Sequence, residues 1–514
     1  MRTTFTKKLK TILLVIFGVV VLLFIIHYFA SNYIEKKINV ELKSDSNVEY
    51  TYSKLNLNLF FGDATIKDIF YKDVTDSLNS KKITISSAKI TGFSYLNYLN
   101  NNSFKLNNVI LDSLSVELND TGSDSVKSTP KPKNLIFLNN LIIKNGTFKF
   151  FKKSKSPEAS IKNFNAKFES VSNSPTKKVN SLNNFCFKNL TAKLSDTDIK
   201  ISDLDRVNIK ETQIQPKKVY LKEINLKSIY GQRELSQYIT SEKDHVDLFV
   251  PELTGKNWSI KNPEKILSIK VDSTTIKTAD LTLFRDKAVA DSKVYKSLYA
   301  EKLKQMNLKI DFPSIKVIDS KITYLQLMEG NPKPGELFFN KVNADLTVTN
   351  NNERKTPITY KANALFMGKS PVTLTTKFSP DNTSNFLAKG TIDDFKGTYI
   401  NDFLEKNLRT HIMGNVDKLY FTISGNNNTA TGDVKMKYSD LELEILKKDV
   451  LEVNKFLTTI GNMILPKNDK KDSEGYRYGK IEVDRDQTKS FFNFLWISLR
   501  DGIKNTITGN NPEK

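Results

Sequence analysis

The chain has one cysteine, three histidines and two tryptophans among its 514 residues. With Cys186 alone, no intrachain disulfide can brace the fold, even in an oxidising compartment. Set between Phe185 and Phe187, it reads as a small buried hydrophobe. His27, His245 and His411 stand far apart, without acidic or cysteine partners at ligand spacing, so no metal site is encoded. The HExxH, GxSxG and GxGxxG patterns are missing. Gly368, Lys369 and Ser370 echo the end of a P-loop, but Asn363 stands where its first glycine is needed. The acid pairs Asp393 and Asp394, and Asp484 and Asp486, fall in a strand-and-turn pattern where such residues are solvated turn positions. No catalytic constellation and no cofactor site follows, and the expectation is a protein that is not an enzyme. Glycine (20) and proline (15) are scarce, which argues against a disordered coat. At 39% hydrophobic and 10% aromatic, the chain can bury a large core, with room for two to four domains.

Positive charge is what the chain has in excess: 78 Lys and Arg against 57 Asp and Glu, a net of +21. The lysines are spread one or two to a strand-like run rather than gathered into a basic arm, so nucleic acid is not the expected partner. Solvated strand faces account for them, with attraction to anionic lipid headgroups as the second reading.

The most apolar stretch runs from Ile12 to Ala30, interrupted only by Gly18 and His27. A helix of that length is about 28 Å long, enough for most of a ~30 Å hydrocarbon core. Its anchor residues are Ile12, Leu13, Leu14, Val15, Ile16, Phe17, Val19, Val20, Val21, Leu22, Leu23, Phe24, Ile25 and Ile26. A cleaved signal is the competing reading, but its apolar part is normally shorter, and bulky Tyr28 spoils the small-residue site around Ala30. Arg2, Lys7, Lys8 and Lys10 precede the run, whereas Lys36 and Lys37 after it are partly offset by Glu35 and Glu41. That bias predicts a single-pass anchor with a cytoplasmic N-terminus and the bulk of the chain across the membrane.

After a short helical continuation over Tyr33 to Leu42, the period changes to two. From Val48 onward, runs of Ile, Val, Leu, Phe, Tyr and Thr alternate with Lys, Asn, Asp and Ser, which predicts antiparallel strands with one buried face. A weak repeat recurs at Asn108–Leu118, Asn140–Phe151 and Ser314–Leu327, each an apolar strand, a polar break and a second strand. Asn145 and Gly146 tolerate positive φ, so these breaks read as hairpin turns. Thr121–Lys133, with Pro130 and Pro132, is the best linker, and Gly330–Gly335 is a further turn cluster. Helices are expected over Ile229–Thr240, Asp291–Met306 and Tyr399–Asn407. The C-terminus reads as a helix bearing Val450, Val453, Leu457, Ile460 and Ile464, a strand over Arg477–Asp484, and a last helix with Phe492, Trp496, Leu499 and Ile503 on one face. With Phe491, Phe494 and Leu495 beside them, that last helix either lies on a membrane or, the favoured reading, packs across an open sheet end.

The strand ending in Gly425, opened by Gly414, and the following strand with Gly432, Tyr438 and Leu441 resemble the C-terminal pattern of the AsmA-like family of bacterial envelope proteins. Leu55–Asp73 resembles that family's N-terminal part. The likeness covers the anchor, about Val48–Asp120 and about Lys341–Leu446, and is looser over Lys162–Met306. It implies a mainly β protein with some α: one N-terminal transmembrane helix, then an elongated, curled antiparallel sheet forming an open groove with capping helices. It also implies residence in a bacterial inner membrane, with the bulk periplasmic, and binding or guiding of phospholipid for outer-membrane lipid homeostasis or biogenesis. The alternative is a non-catalytic scaffold or assembly factor for outer-membrane proteins, with envelope assembly proteins as its partners. Leu114, Val116, Phe148, Phe150, Ile322 and Tyr324 are the candidate groove-lining residues. The expected division is a basic tail (1–10), the anchor (11–30), a β-repeat region (31–340), an AsmA-like β region (341–448) and a helix-strand-helix cap (449–514). The family's bridge candidates are much longer, so this chain is not expected to cross a periplasm alone.

Overall fold

Alternation of one-sided apolar residues produces strands almost throughout. The computed structural model describes residues 48–509 except 74–79, 102, 121–134, 153–155, 174–179, 183–184, 263–265, 349–355, 381–383 and 446–470, together with His27, 31–33 and Lys36. The predicted anchor, His27 apart, and the helix around Val450 lie outside the described residues. Among those described, no helix is long and apolar enough to cross a membrane. The chain is mainly β and divides into two compact units, Met1–Ile199 with Glu211–Pro216, and Lys200–Lys210 with Lys217–Lys514.

In the first unit β1 (Val48–Thr51) and β2 (Lys54–Asn58) lie end to end on β3 (Asp63–Asp73), which pairs antiparallel with β4 (Lys81–Thr91). Helix α1 (Tyr95–Asn101) leads into β5 (Ser103–Asp112) and β6 (Ser115–Asp120). These two strands are again end to end, antiparallel to β4 but parallel to β7 (Leu135–Lys152). β8 (Ala159–Ser172) follows antiparallel, carrying the β9 (Asn180–Leu182) and β10 (Phe185–Phe187) hairpin and then β11 (Asn189–Ser202). Strand β12 (Asp205–Gln215) contributes residues to both units.

The second unit repeats the plan. β13 (Lys218–Ser228) pairs antiparallel with β14 (His245–Lys261). β15 (Ser268–Lys277) and β16 (Asp280–Asp286) lie end to end, antiparallel to β14 and parallel to β17 (Lys309–Leu327). A short helix, α2 (Tyr299–Lys304), sits in the connection before β17. An antiparallel run follows through β18 (Gly335–Val348), β19 (Ile358–Phe366), β20 (Ser370–Phe378), β21 (Phe386–Lys396), β22 (Thr410–Gly425), β23 (Thr429–Ile445) and β24 (Arg477–Asp484). Helix α3 (Asn401–Leu408) precedes β22, and α4 (Phe491–Thr508) closes the unit.

The expected antiparallel sheet is therefore a mixed one. Each parallel pair is separated by a long connection, 121–134 or 287–308, and only a connection of a dozen residues or more returns the chain to the start of its neighbour. The polar breaks are not hairpins either. Asn145 sits inside the single strand β7, and Asp319 inside β17, both in the left-handed region with φ near +50°. Ser113 (φ 54°) and Thr278 (φ 50°) stand at the matching joints β5/β6 and β15/β16. The same hydrogen bonds serve both joints. Ser113 N–H donates to Lys144 O and Thr147 N–H to Leu114 O, as Thr278 N–H does to Ile318 O and Lys321 N–H to Ala279 O. An asparagine amide oxygen then accepts from the left-handed residue, Asn165 from Asn145 N–H and Asn343 from Asp319 N–H, each at 3.1 Å. Such a residue shifts the alternation by one, so Leu111 is followed on the same face by Leu114 and Val116. The family of kinks is costly for ordinary side chains, which is why Asp and Asn hold several of them.

Two predicted helices are mostly absent. Ile229–Thr240 holds only a 3₁₀ turn at Leu235–Gln237, and of Asp291–Met306 only α2 is helical. The backbone before α2 finds partners elsewhere instead: Lys296 N–H donates to Gln487 O, and the Arg485 guanidinium donates to Lys296 O. The terminal helix packs on the sheet through Phe491, Phe494, Ser498, Gly502 and Thr506, while Phe492 and Trp496 of the expected apolar face stay exposed. Small residues decide this. A Cβ on Gly479 of β24 would lie 2.2 Å from Gly502 O, so helix and strand approach backbone to backbone. There the core is shut: Phe378, Val434, Met436, Ile423 and Phe494 are fully buried. Gly479→Ala is expected to destabilise the second unit by about 1–3 kcal/mol through overpacking. Urea unfolding of the purified chain reads this directly, and an unchanged midpoint would show that the close approach is not required.

Candidate functional site

Register converts the alternation of the first unit into rows that cross the sheet. Leu57, Ala64, Ile90, Val109, Leu141, Phe168 and Leu190 are successive pairing partners from β2 to β11. The next row is Leu55, Ile66, Ala88, Leu111, Ile143, Ala166 and Ala192. Beyond the kinks comes Tyr71, Ile83, Val116, Phe148 and Ile161. With strands about 4.8 Å apart, a row of seven extends about 29 Å. Residues of all three rows pack into one cluster centred on Leu114, Ile143, Ala166 and Ala192. Yet most of the larger side chains, including Ile83, Val116, Phe148, Val109 and Leu141, are only half-buried. The opposite face carries charges and amides around a few apolar pairs such as Ile110 with Ile142: Glu117 lies 3.7 Å from Lys149 and 3.9 Å from Lys82, and Asn140 donates to Asn108, which donates to Thr91.

Four of the six candidate lining residues belong to this face. Val116 pairs with Phe148 and Leu118 with Phe150, while Leu114 is buried at the joint between β5 and β6. The other two belong to the second unit. Ile322 is part of a half-buried row of Leu226, Leu248, Leu281, Ile322, Phe339 and Phe366. Tyr324 pairs with Leu283 and Leu337, but its hydroxyl donates to Gln326 Oε1 at 3.1 Å, and burial pushes its pKa up to about 12 against the lowering effect of Arg285. It is an amphipathic border residue rather than part of an apolar floor. Sequence reasoning missed most of the rows, among them Leu57, Ile90, Val109, Leu141 and Leu190. Their signal was present in the alternation, and only the register shows that they align.

The titratable groups assemble elsewhere and bind one another. The Glu242 carboxylate, with no exposed surface, is 2.6 Å from Lys489 Nζ, 2.9 Å from Lys287 Nζ and 3.6 Å from the Arg285 guanidinium. Arg285 also forks onto Asp244 at 2.7 and 2.8 Å, and Lys489 and Lys287 share Asp291 at 2.9 and 3.2 Å. Burial alone raises the Glu242 pKa, but hydrogen bonds from Lys489 and Lys287 and the Arg285 charge hold it below the usual glutamate range. Every charge has a partner, so the cluster clamps the 287–298 connection to the start of α4. Asp393 pairs with Lys418 at 2.6 Å, and Asp486 accepts from Thr488, so neither acid pair of the sequence converges on a cleft. His245 contacts Tyr230 O and His411 contacts Glu405. Among the described residues, no group of three or more His, Cys, Asp or Glu is placed to hold a metal ion. Cys186 is fully buried, and burial raises its thiol pKa.

A carboxylate held below its ordinary pKa stabilises the fold at pH above that ordinary value, and the contribution is lost as pH falls through the folded-state pKa. Glu242→Gln is expected to cost about 1.5–3 kcal/mol at neutral pH: it removes the charge-assisted bonds to Lys489 and Lys287, while Asp291 still pairs with both lysines and Asp244 with Arg285. The gap between parent and variant should close as pH drops below the ordinary glutamate value of 4.5. Denaturant titrations at several pH values test this, and a pH-independent gap would contradict it.

Comparison of the chain with models of known protein families finds no match, and no curated protein matches it.

Proposed function

We propose that this chain is an inner-membrane-anchored periplasmic protein that binds phospholipid acyl chains along the apolar face of its first unit, and so guides lipid for the outer membrane without a chemical step. The observation that carries the reading is the half-buried state of rows such as Val109–Leu141–Phe168 and Val116–Phe148. In the second unit α4 closes only the last strands, with Phe494 1% exposed, while the row Leu226–Leu248–Leu281–Ile322 is half-buried as in the first unit. A face that is apolar across seven strands and left half-exposed is suited to a mobile apolar ligand. Each CH₂ laid on it contributes about 0.8 kcal/mol. An acyl chain reaches across one leaflet, roughly 15 Å of the ~30 Å core, and a row about 29 Å long accommodates it. The N-terminal run Ile12–Ala30 and the resemblance to the AsmA-like family supply the membrane and the compartment in this reading.

Chain extracted in mild detergent is expected to carry phospholipid detectable by mass spectrometry. Val116→Asp and Phe148→Asp should each lower the carried lipid by about tenfold, the equivalent of 1.4 kcal/mol. Lys149→Asp, one residue along on the polar face, should leave it unchanged, with circular dichroism confirming that all three fold. Equal loading of all variants would refute the reading, and a stoichiometric protein partner without lipid would favour a scaffold instead.

A further inference from the structure

At the end of the first unit where the rows begin, two uncharged segments meet. The β2–β3 turn presents Phe60 and Phe61, and α1 presents Tyr95, Leu96, Tyr98 and Leu99. Phe61, Leu96 and Leu99 are 73%, 73% and 76% exposed, among the most exposed large hydrophobic side chains of the described residues. In a chain that is 26% charged, no residue from Gly92 to Phe104 is charged, nor any from Leu55 to Gly62. The two segments are one rigid feature. Tyr95 Oη donates to Leu59 O at 2.7 Å, Phe93 N–H to Gly62 O at 3.0 Å, and Gly92 N–H to Asp63 Oδ1 at 3.0 Å. Phe93 contacts the rings of Tyr95, Tyr98 and Phe104, with centroids 5.1 to 6.2 Å apart. The leucines are thus held outward by a built aromatic base.

His27 fixes what lies beside this collar. Its ring stacks on Phe60 at 5.1 Å, and Leu59 N–H donates to its Nδ1 at 3.4 Å. His27 is in the last turn's worth of the apolar run that ends at Ala30. If that run crosses a bilayer, its end lies at headgroup depth, and the collar attached to His27 lies there too. The composition suits that depth: tyrosines that join an apolar ring to a polar hydroxyl, leucines and phenylalanines directed outward, and asparagines between them. Exposed Lys105, whose carbonyl accepts from Ser94 N–H just before α1, is placed for anionic headgroups.

We propose that the collar of the β2–β3 turn and α1 is inserted in the interfacial layer of the bilayer, a second membrane contact beside the anchor. It sets the row Leu57–Ala64–Ile90–Val109 against the headgroups, so that an acyl chain leaving the leaflet meets the apolar face without crossing water. This rests on the membrane and lipid reading above and adds the point at which lipid is taken up.

The full chain carrying Phe61→Cys, Leu96→Cys, Leu99→Cys or, as a water-exposed control, Lys149→Cys is labelled with an environment-sensitive fluorophore; buried Cys186 stays unlabelled. The labelled chains are reconstituted in phosphatidylethanolamine–phosphatidylglycerol vesicles and isolated by flotation. Labels at 61, 96 and 99 should be quenched several-fold less by aqueous iodide than the label at 149, and should be quenched by nitroxide lipids. Equal iodide quenching at all four positions in floated vesicles, or failure of the chain to float, overturns the proposal. Wet labels on a chain that still carries phospholipid sink the collar alone. Shielded labels on a chain that carries none sink the lipid-guiding function and leave the collar standing.

Discussion

Hydrogen bonding between strands in fixed register is the constraint on which the rest of this protein depends. Each strand alternates apolar and polar residues, and register turns that alternation into rows that cross whole units. A row such as Leu57 to Leu190 leaves the protein with an apolar surface that one strand alone would not create. That surface is dealt with in two ways. In the last strands of the second unit α4 covers it completely, whereas the first unit keeps its rows half-buried. Lipid binding is the proposed use of that difference.

The left-handed residues shape the rows without ending them. Ser113 and Asn145 stand side by side, and so do Thr278 and Asp319, with backbone bonds carried straight across each joint. Asn165 and Asn343 satisfy the amide that each kink frees. The two units share this device down to the individual bonds, which explains the repeat seen in the sequence: it marks a kink that must recur, since neighbouring strands bend together or lose pairing.

Much of the fold was legible because period two directly records which face is buried. The strand over Arg477–Asp484 and the buried Cys186 were read correctly from local pattern alone. What alternation does not record is the neighbour. A strand facing a parallel partner and one facing an antiparallel partner share the same pattern, so the pairing of β5 and β6 with β7 was hidden. The face of α4 was misread because Ser498, Gly502 and Thr506 have little hydrophobicity, although all three are buried and Gly502 and Thr506 closely approach Gly479 of β24. Asp291–Met306 has helical spacing, but Lys296 bonds to Gln487 O and to the Arg485 guanidinium, partners outside the segment that a closed helix would not use. Of the candidate lining residues, Val116 and Phe148 proved to be direct partners, while Tyr324 turned its hydroxyl to Gln326.

The two parallel joints also bear on the order in which the chain can assemble. Antiparallel neighbours such as β19 and β20, three residues apart, close through a short turn and can zip up as soon as their residues are available. β7 and β17 have no such shortcut: each must find its partner by closing a long loop, an entropic cost met before any pairing is gained. Assembly of each unit is therefore expected to pause at these two steps. In the interval β5, β6, β15 and β16 are open edges, and Glu117 on β6 is a charge of the kind that discourages pairing with a stranger.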